Sequence, residues 1–320
     1  MAQSTPLSVD AIYINFLTNF QDALTSAEVW SDKVVTKIAS ASRENRYLWV
    51  DKIPRLRKWT GDRVYNSLSR RSYALVNDDY EDSLKLDRNV IDDDGLGLYA
   101  QGVRMLGDAA AHWPDDMVAD IMQNGQSTSP QYICHDGQPF FSAAHPTNLD
   151  APTMFANQTN LYSVATSGAT PLNATNYNTV RAAMMALKGS DGKPLGIRPD
   201  LLVVAPALEM AAKQLLNADF IAPTGGFGVN AAAQQTNVLK GTADLLVIPQ
   251  FAGADTTWYL LSTKGPLKPF IFQERKAPQF TVKAASNDDN MFDGREIKMG
   301  VDARGAAGFS LWFLAAKAVG

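Results

Sequence analysis

Residues 1–46 carry apolar side chains at the spacing of a helix face. Phe16 and Phe20 are four positions apart, and Val34 and Ile38 extend the same spacing further along the chain. An amphipathic segment of this kind needs a surface on which to bury its apolar face, either on its own chain or on a neighbouring copy. We therefore predict an N-terminal arm that contains one helix.

Residues 47–95 combine strand-like alternation with an uneven distribution of charge. Tyr73 and Leu75, and then Leu84 and Leu86, alternate with polar residues, which predicts strands with one apolar face. Positions 52–71 hold seven basic residues and one acid, whereas positions 77–94 hold eight acids and two bases. The segment is predicted to be an extended excursion with one basic limb and one acidic limb. A solvated surface of mixed charge and a contact between neighbouring copies both fit this pattern.

The pattern of residues 99–124 predicts a helix with one apolar side. Pro114 lacks a backbone N–H and is expected to break or restart this helix. Asp115 and Asp116 would then occupy the first turn of a second helix, where carboxylates oppose the positive end of the helix dipole. Gly125 directly follows Asn124 and is expected to end it.

Residues 173–262 show the regular alternation of a compact α/β unit. The pattern predicts a helix capped by Asn173 or Thr175, a buried strand at 201–205, a helix that starts at Pro206, and strands at 243–248 and 258–261. The tail is expected to return to strands at 280–283, 297–301 and 309–314. The chain as a whole is predicted to be of the mixed α+β class.

Composition narrows the class of protein further. The chain has 320 residues with 46% hydrophobic and 19% charged residues, as in folded globular proteins. No apolar run approaches the roughly 18 residues of a membrane span, and residues 1–6 lack the pattern of a secretory signal. Cys134 stands alone, so no intrachain disulfide can form, and a cytoplasm is the expected site of synthesis. The net charge of -4 argues against a dedicated nucleic-acid binder.

Candidate chemistry is sparse. Cys134, His135, Asp136 and His145 form a cluster that could suggest a metal site or a hydrolase, but their spacing fits no metal motif, and satisfied loop histidines are the favoured interpretation. The acidic run at 92–94 lacks the ligand spacing of a calcium loop. The glycine-rich 225–228 lacks a following Lys-Ser/Thr and is predicted to be a loop. We expect no enzyme, no cofactor and no metal.

Separated stretches of the chain, in order, resemble the Mu-like phage major head subunit family. The longest are Lys-Ile-Pro-Arg-Leu-Arg-Lys-Trp-Thr-Gly-Asp-Arg at 52–63, Asp-Gly-Gln-Pro-Phe-Phe at 136–141, Pro-Leu-Gly-Ile-Arg-Pro at 194–199 and Gly-Val-Asp-Ala-Arg-Gly at 300–305. Shorter matches lie at 80–81, 91–94, 132, 145–146, 258–261, 268–271 and 273. The match runs from about residue 45 to the end, and the arm matches more loosely.

The resemblance implies the Hong Kong 97-type capsid fold, which has an arm, an extended β-hairpin called the E-loop, a peripheral domain with a long spine helix, and an axial domain. The expected divisions are an arm at 1–46, an E-loop region at 47–95, a peripheral domain at 96–172 and 263–320, and an axial domain at 173–262. The spine helix is expected to start near Tyr99.

The resemblance also implies a function in assembly. The expected product is an icosahedral shell of hexamers and pentamers, built in the host bacterial cytoplasm and found in the virion. The expected partners are copies of the chain, a portal, scaffold or decoration proteins, and double-stranded DNA bound non-specifically; no membrane is involved. An encapsulin-like compartment is the alternative. The predicted contacts between copies join basic Arg55, Arg57, Lys58 and Arg63 to acidic Asp78, Asp79, Glu81 and Asp82, whereas Arg304 is expected to anchor its own domain.

Overall fold

The computed structural model describes residues 9–48, 58–59, 72–87, 98–149, 151–164, 168–221, 235–283 and 296–320. Within these ranges four α-helices are found: α1 (Val9–Ser26), α2 (Leu98–Asn124), α3 (Ala174–Met185) and α4 (Glu209–Asn217). No helix among them is both long enough and apolar enough to span a bilayer. The predicted runs at 92–94 and 225–228 lie outside the described residues.

The described strands form four sheets. The strands are β1 (Val35–Ala39), β2 (Glu44–Leu48), β3 (Ser72–Val76), β4 (Asp78–Asp87), β5 (Leu161–Tyr162), β6 (Leu201–Val204), β7 (Phe220–Ile221), β8 (Gln235–Thr236), β9 (Asp244–Val247), β10 (Thr257–Leu261), β11 (Phe270–Lys283), β12 (Glu296–Phe309) and β13 (Ala315–Val319). One sheet has the order β1-β11-β12-β4 and another β5-β13-β10-β6-β9. The pairs β2-β3 and β7-β8 complete the set.

The main core forms around the five-stranded sheet. Every residue of β6 is buried, as expected for a strand whose apolar run is continuous. Helix α3 begins at the cap Asn173, whose side chain accepts the N–H of Asn176, and it buries Tyr177, Val180 and Met184 against the core. The first helix and the buried strand predicted for this unit are confirmed, whereas the second helix begins as a 3-10 turn at Pro206–Leu208 and continues as α4 from Glu209.

A second, smaller core lies between α1, the first half of α2, and the far ends of β11 and β12. Phe16 and Phe20 of α1 meet Val103 and Leu106 of α2 there, together with Phe280 of β11. The second half of α2 belongs to the main core. Helix α2 therefore connects the two cores along its length.

The stem of the predicted excursion is fixed to the four-stranded sheet. Strands β2 and β3 pair antiparallel, from Glu44 opposite Val76 to Leu48 opposite Ser72, so Leu48 and Ser72 at the two ends of the predicted excursion lie side by side. Buried Gln273 of β11 accepts the hydroxyl of Tyr47 at 2.6 Å and donates to Asn77 at 2.7 Å. The predicted strand at Tyr73 and Leu75 is confirmed.

The predicted continuation of the arm helix is wrong. Helix α1 ends at Ser26. Val34 lies in the turn that follows a short 3-10 helix at Ser31–Lys33, and Ile38 lies in β1, which pairs in parallel with β11. Pairing with a strand more than 230 residues away overrides the local helical spacing.

The predicted break at Pro114 is also wrong, because α2 runs through it to Asn124. Packing of both halves of α2 into the two cores holds the helix together despite the missing N–H. Asp115 does not start a helix; its buried carboxylate accepts the N–H of Ser31 at 2.8 Å and contacts Nδ1 of His112 at 2.8 Å.

The tail is more extensively paired than predicted. Strands β11 and β12 each span 14 residues, and the predicted strand at 309–314 instead contains a short 3-10 turn at Trp312–Leu314. Strand β13 then pairs with β10 inside the five-stranded sheet. The end of the chain, assigned above to the peripheral domain, therefore contributes to the sheet of the 173–262 unit, while the domain limits themselves stay a prediction.

Candidate interaction surfaces

Strand β4 carries the four predicted acidic contact residues on two different faces. It is the edge strand of its sheet, and Asp78, Asp79, Glu81 and Asp82 are all exposed. Alternation places Asp78 and Asp82 on the face of Tyr80, whose ring packs 5.2 Å from that of Trp113 in α2. Asp79 and Glu81 point to the opposite face. The four acids therefore do not form one surface.

The face that carries Asp79 and Glu81 is turned away from α2 and is called the outward face below. It holds ion pairs within the chain. Nε of Arg304 lies 3.2 Å from a carboxylate oxygen of Asp79, and Lys276 contacts the carboxylate of Asp302. The ion pair of Arg304 lies within one chain, and its anchoring role stays a prediction. Ion pairs this exposed contribute only about 0–1 kcal/mol each, so their main effect is to set the local pattern of charge.

The basic partners of the predicted contact lie mostly outside the described residues. This holds for Arg55, Arg57 and Arg63, whereas Lys58 is described and exposed. The pairing of this basic segment with the acids of β4 therefore stays a prediction.

The arm helix docks on its own chain. The ring of Phe20 stacks on that of Phe280 with centroids 5.0 Å apart, and Phe16 is buried beside it. A Cβ at Gly107 of α2 would lie 2.6 Å from the carbonyl oxygen of Phe20, so glycine is needed for the two helices to approach this closely. Ile14 of the same helix is 61% exposed.

Cys134, Asp136 and His145 do come together, in the interior. The thiol of Cys134 donates to Asp136 at 2.7 Å, and Nδ1 of His145 lies 2.5 Å from the other carboxylate oxygen of Asp136. Nε2 of His145 is 3.2 Å from both the carbonyl of Phe140 and the side-chain oxygen of Asn160. All the polar atoms of this cluster are therefore occupied by one another or by the surrounding backbone and amide.

Electrostatics favours a structural role for this cluster. Burial above all, and then the adjacent carboxylate, raises the pKa of the Cys134 thiol well above its ordinary value. Burial alone would raise the pKa of Asp136, but the hydrogen bond and charge of His145 outweigh it and lower that pKa. The three ligand atoms lie within 4.8 Å of one another, close enough for a metal ion. A protonated thiol is nevertheless a poor ligand or nucleophile, and half-buried His135 stands beside the cluster rather than in it.

A buried lysine is a feature that the sequence analysis missed. Lys317 of β13 is 4% exposed, and its ammonium donates to the carbonyl of Gln123 at 2.6 Å beneath the ring of Tyr259. The hydroxyl of Tyr259 donates to the carbonyl of Met122 at 3.1 Å. These carbonyls lie in the last turn of α2, where helix carbonyls lack partners and a cation is favourable. Burial lowers the pKa of Lys317 to about 8.

Comparison with known proteins identifies the family. The family model described as the Mu-like prophage major head subunit gpT matches residues 9–169, 159–251 and 249–319, which together span nearly the whole chain. The Mu-like prophage FluMu major head subunit of Haemophilus influenzae is 25% identical over 98% of this chain and 74% of its own length. The major capsid protein of Escherichia phage Mu is 25% identical over 97% of this chain and 73% of its own length.

Solved structures agree with this assignment. A subunit of the procapsid of bacteriophage JBD30 superposes with a TM-score of 0.59 at 26% identity, over 99% of this chain and 76% of its own. A capsid subunit of cyanophage P-SCSP1u gives 0.57 at 11% identity, over 92% of this chain and 88% of its own, which supports the fold alone. The Hong Kong 97-type fold expected from the resemblance is thereby confirmed. The chain belongs to the Mu-like prophage major head subunit family and is a structural protein of a tailed-phage head.

Proposed function

We propose that the chain assembles through hexamers and pentamers into a closed icosahedral shell that encloses double-stranded DNA. The observation that carries the proposal is the similarity to the JBD30 procapsid subunit, which extends over 99% of the chain. Ring contacts are heterologous, and each subunit meets several neighbours, so individually weak contacts add up to a stable shell. An encapsulin-like compartment is disfavoured because the matching family consists of phage head subunits.

The partners of the shell belong to the same proposal. A portal, scaffold or decoration proteins, and DNA held by non-specific contact are expected from the function of a phage head. The chain's net charge of -4 suits weak rather than tight contact with the DNA phosphates.

Shell formation is tested by expressing the full chain in bacteria and imaging the purified protein by electron microscopy. Closed particles built of hexamers and pentamers are the expected result. Nuclease-resistant DNA inside heads assembled with the phage packaging proteins would support the phage function, whereas particles that enclose an enzyme cargo would support the compartment alternative.

Contacts between the basic segment and β4 are part of this proposal. Asp78 and Asp82 are the better placed pair, because they are exposed on one face of β4 and neither forms an ion pair with another described residue, whereas Glu81 shares its face with Asp79. Asp79 is already neutralised by Arg304 and is expected to contribute less. Complementary charges of this kind chiefly set register and partner choice.

A charge exchange tests this contact. Replacing Arg55 and Arg57 by Glu should block assembly while the subunit stays folded, and adding Asp78→Lys and Asp82→Lys should restore it. Normal particles from the doubly reversed variant would contradict the proposed pairing, as would failure of the quadruple variant to assemble.

A further inference from the structure

The outward face of the four-stranded sheet carries a row of three lysines. Lys298 of β12 is paired in register with Lys85 of β4 on one side and with Lys283 of β11 on the other. All three side chains are exposed, and Glu296 contacts two of them, Lys85 at 2.5 Å and Lys298 at 3.6 Å. Like charges directly opposite one another destabilise a sheet. Glu296 offsets part of this cost at Lys85 and Lys298, and the row keeps an excess of positive charge.

The neighbouring rows on the same face differ in size and sign. Two residues along each strand lies a row of small residues, formed by Ser83, Gly300 and Thr281. This row and the lysine row together line a groove of about 360 Å³. Two residues further along, Glu81 is paired with Asp302. Along the strands, the face therefore carries a basic row, then a row of small residues, and then an acidic row.

We propose that two copies of the chain stack these faces about a two-fold axis that runs along the row containing Gly300. Residues equally far from the axis then face each other, so Lys298 of each copy lies over Asp302 of the other, and Lys85 lies over Glu81. Glu296 faces Arg304 in the same arrangement. The inference rests on the proposed shell function, since a shell needs contacts between its rings and a two-fold contact is self-complementary by construction.

A second copy fits this face better than a polyanion does. The basic and acidic rows are four residues, or about 14 Å, apart along the strands. A DNA backbone that contacts the lysines would therefore also meet the carboxylates of Glu81 and Asp302. A surface whose charge changes sign with the same spacing is complementary to both rows, and the face itself has this property along β12 and at Glu81 and Lys85 of β4.

The contact is too small to hold isolated subunits together. Three strands and five rows cover on the order of 500 Å² per copy from strand and residue spacings, below the roughly 800 Å² per partner of a standard stable interface. We therefore expect it to form only within a shell, where other contacts fix the copies in place. Asp79 and Asp87 would meet at the edge of the contact, and Asp79 is neutralised there by its own chain's Arg304.

A charge swap along β12 tests the two-fold contact. Lys298→Glu and Asp302→Lys are each expected to lower the yield of closed shells at least tenfold, because each places two like-charged pairs across the axis. The double variant should return to within twofold of the wild-type yield. Asp302→Lys also removes the contact with Lys276 of the same chain, and the double variant does not restore that contact, so a rescue reports on the partner copy.

Crosslinking supplies an independent readout. A residue on the axis faces its own counterpart, so assembled Ser83→Cys shells should yield covalent dimers with a short bismaleimide. Gln279→Cys is the matched control, because Gln279 is exposed on the same face but lies two residues from the axis, at least about 14 Å from its counterpart. The natural Cys134 is buried and gives no background.

The outcomes separate this contact from the shell function. Wild-type shells without Ser83→Cys dimers, or without rescue by the double variant, would overturn the two-fold contact and leave the shell function standing. Single variants that change DNA content but not shell yield would also overturn it, in favour of a DNA contact. Failure of the wild-type chain to form shells under any condition would instead refute the proposed function.

Discussion

Replacement of Phe20 by alanine tests whether the arm helix is part of its own subunit. Phe20 is 2% exposed and stacks on Phe280 at 5.0 Å, both within one chain. Truncation of a core phenylalanine costs about 3–5 kcal/mol, and loss of a stacked aromatic pair accounts for about 0.5–1.5 kcal/mol of that cost. We expect a loss of about 4 kcal/mol in the free energy of unfolding, independent of protein concentration.

The assay is urea unfolding of the unassembled subunit at two concentrations tenfold apart. Ile14→Ala on the same helix is the control, since Ile14 is 61% exposed and should cost less than about 0.5 kcal/mol. A Phe20→Ala variant no less stable than the Ile14→Ala variant would refute the docking. A loss of stability present only at the higher concentration would show that the arm instead binds a neighbouring copy.

Three further predictions concern the interior. Gly107→Ala should cost about 1–3 kcal/mol in unfolding experiments because its Cβ would meet the backbone of α1, whereas Gly102→Ala, with open space around it, should stabilise α2 by up to about 1 kcal/mol; equal effects would contradict the close helix approach. The folded pKa of Lys317 lies at about 8, below its ordinary 10.5. Between these pH values the unfolded chain binds more protons than the folded chain. The free energy of unfolding of the wild type, relative to that of Lys317→Met, should therefore rise by up to about 3 kcal/mol from pH 8 to pH 10.5. A difference that does not change with pH would contradict the lowered pKa. Because the folded pKa of Asp136 is lowered, its contribution to the free energy of unfolding is present above pH 4 and lost at lower pH. Asp136→Asn should therefore lower the free energy of unfolding by about 3–5 kcal/mol at pH 7, whereas exposed Asp22→Asn should change it little. Equal losses for the two variants would show that the cluster is dispensable.

Elements set by local pattern could be predicted from the sequence. The cap at Asn173 and the continuous apolar run of β6 carry their own signals, and both are found where expected. The strand at Ile38 could not be predicted in this way, because it forms by pairing with β11 far along the chain. The continuity of α2 through Pro114 likewise depends on packing from both cores.

The surface chemistry was predictable in kind but not in arrangement. The excess of acids along β4 is plain in the sequence, and strand alternation separates Asp79 from Asp82. The lysine row, by contrast, depends on the register of three strands from two distant parts of the chain. Lys317, flanked by alanines in an apolar strand, is a signal that could have been recognised as a buried cation.

Electron cryomicroscopy of the full-length protein purified from bacterial cells tests the central claim most directly. The account predicts closed shells in which hexamers and pentamers of this chain can be fitted with the fold described here, with α1 resting on α2 of the same subunit. A preparation that stays monomeric at every concentration, also when co-expressed with the other head proteins of its phage, would contradict it.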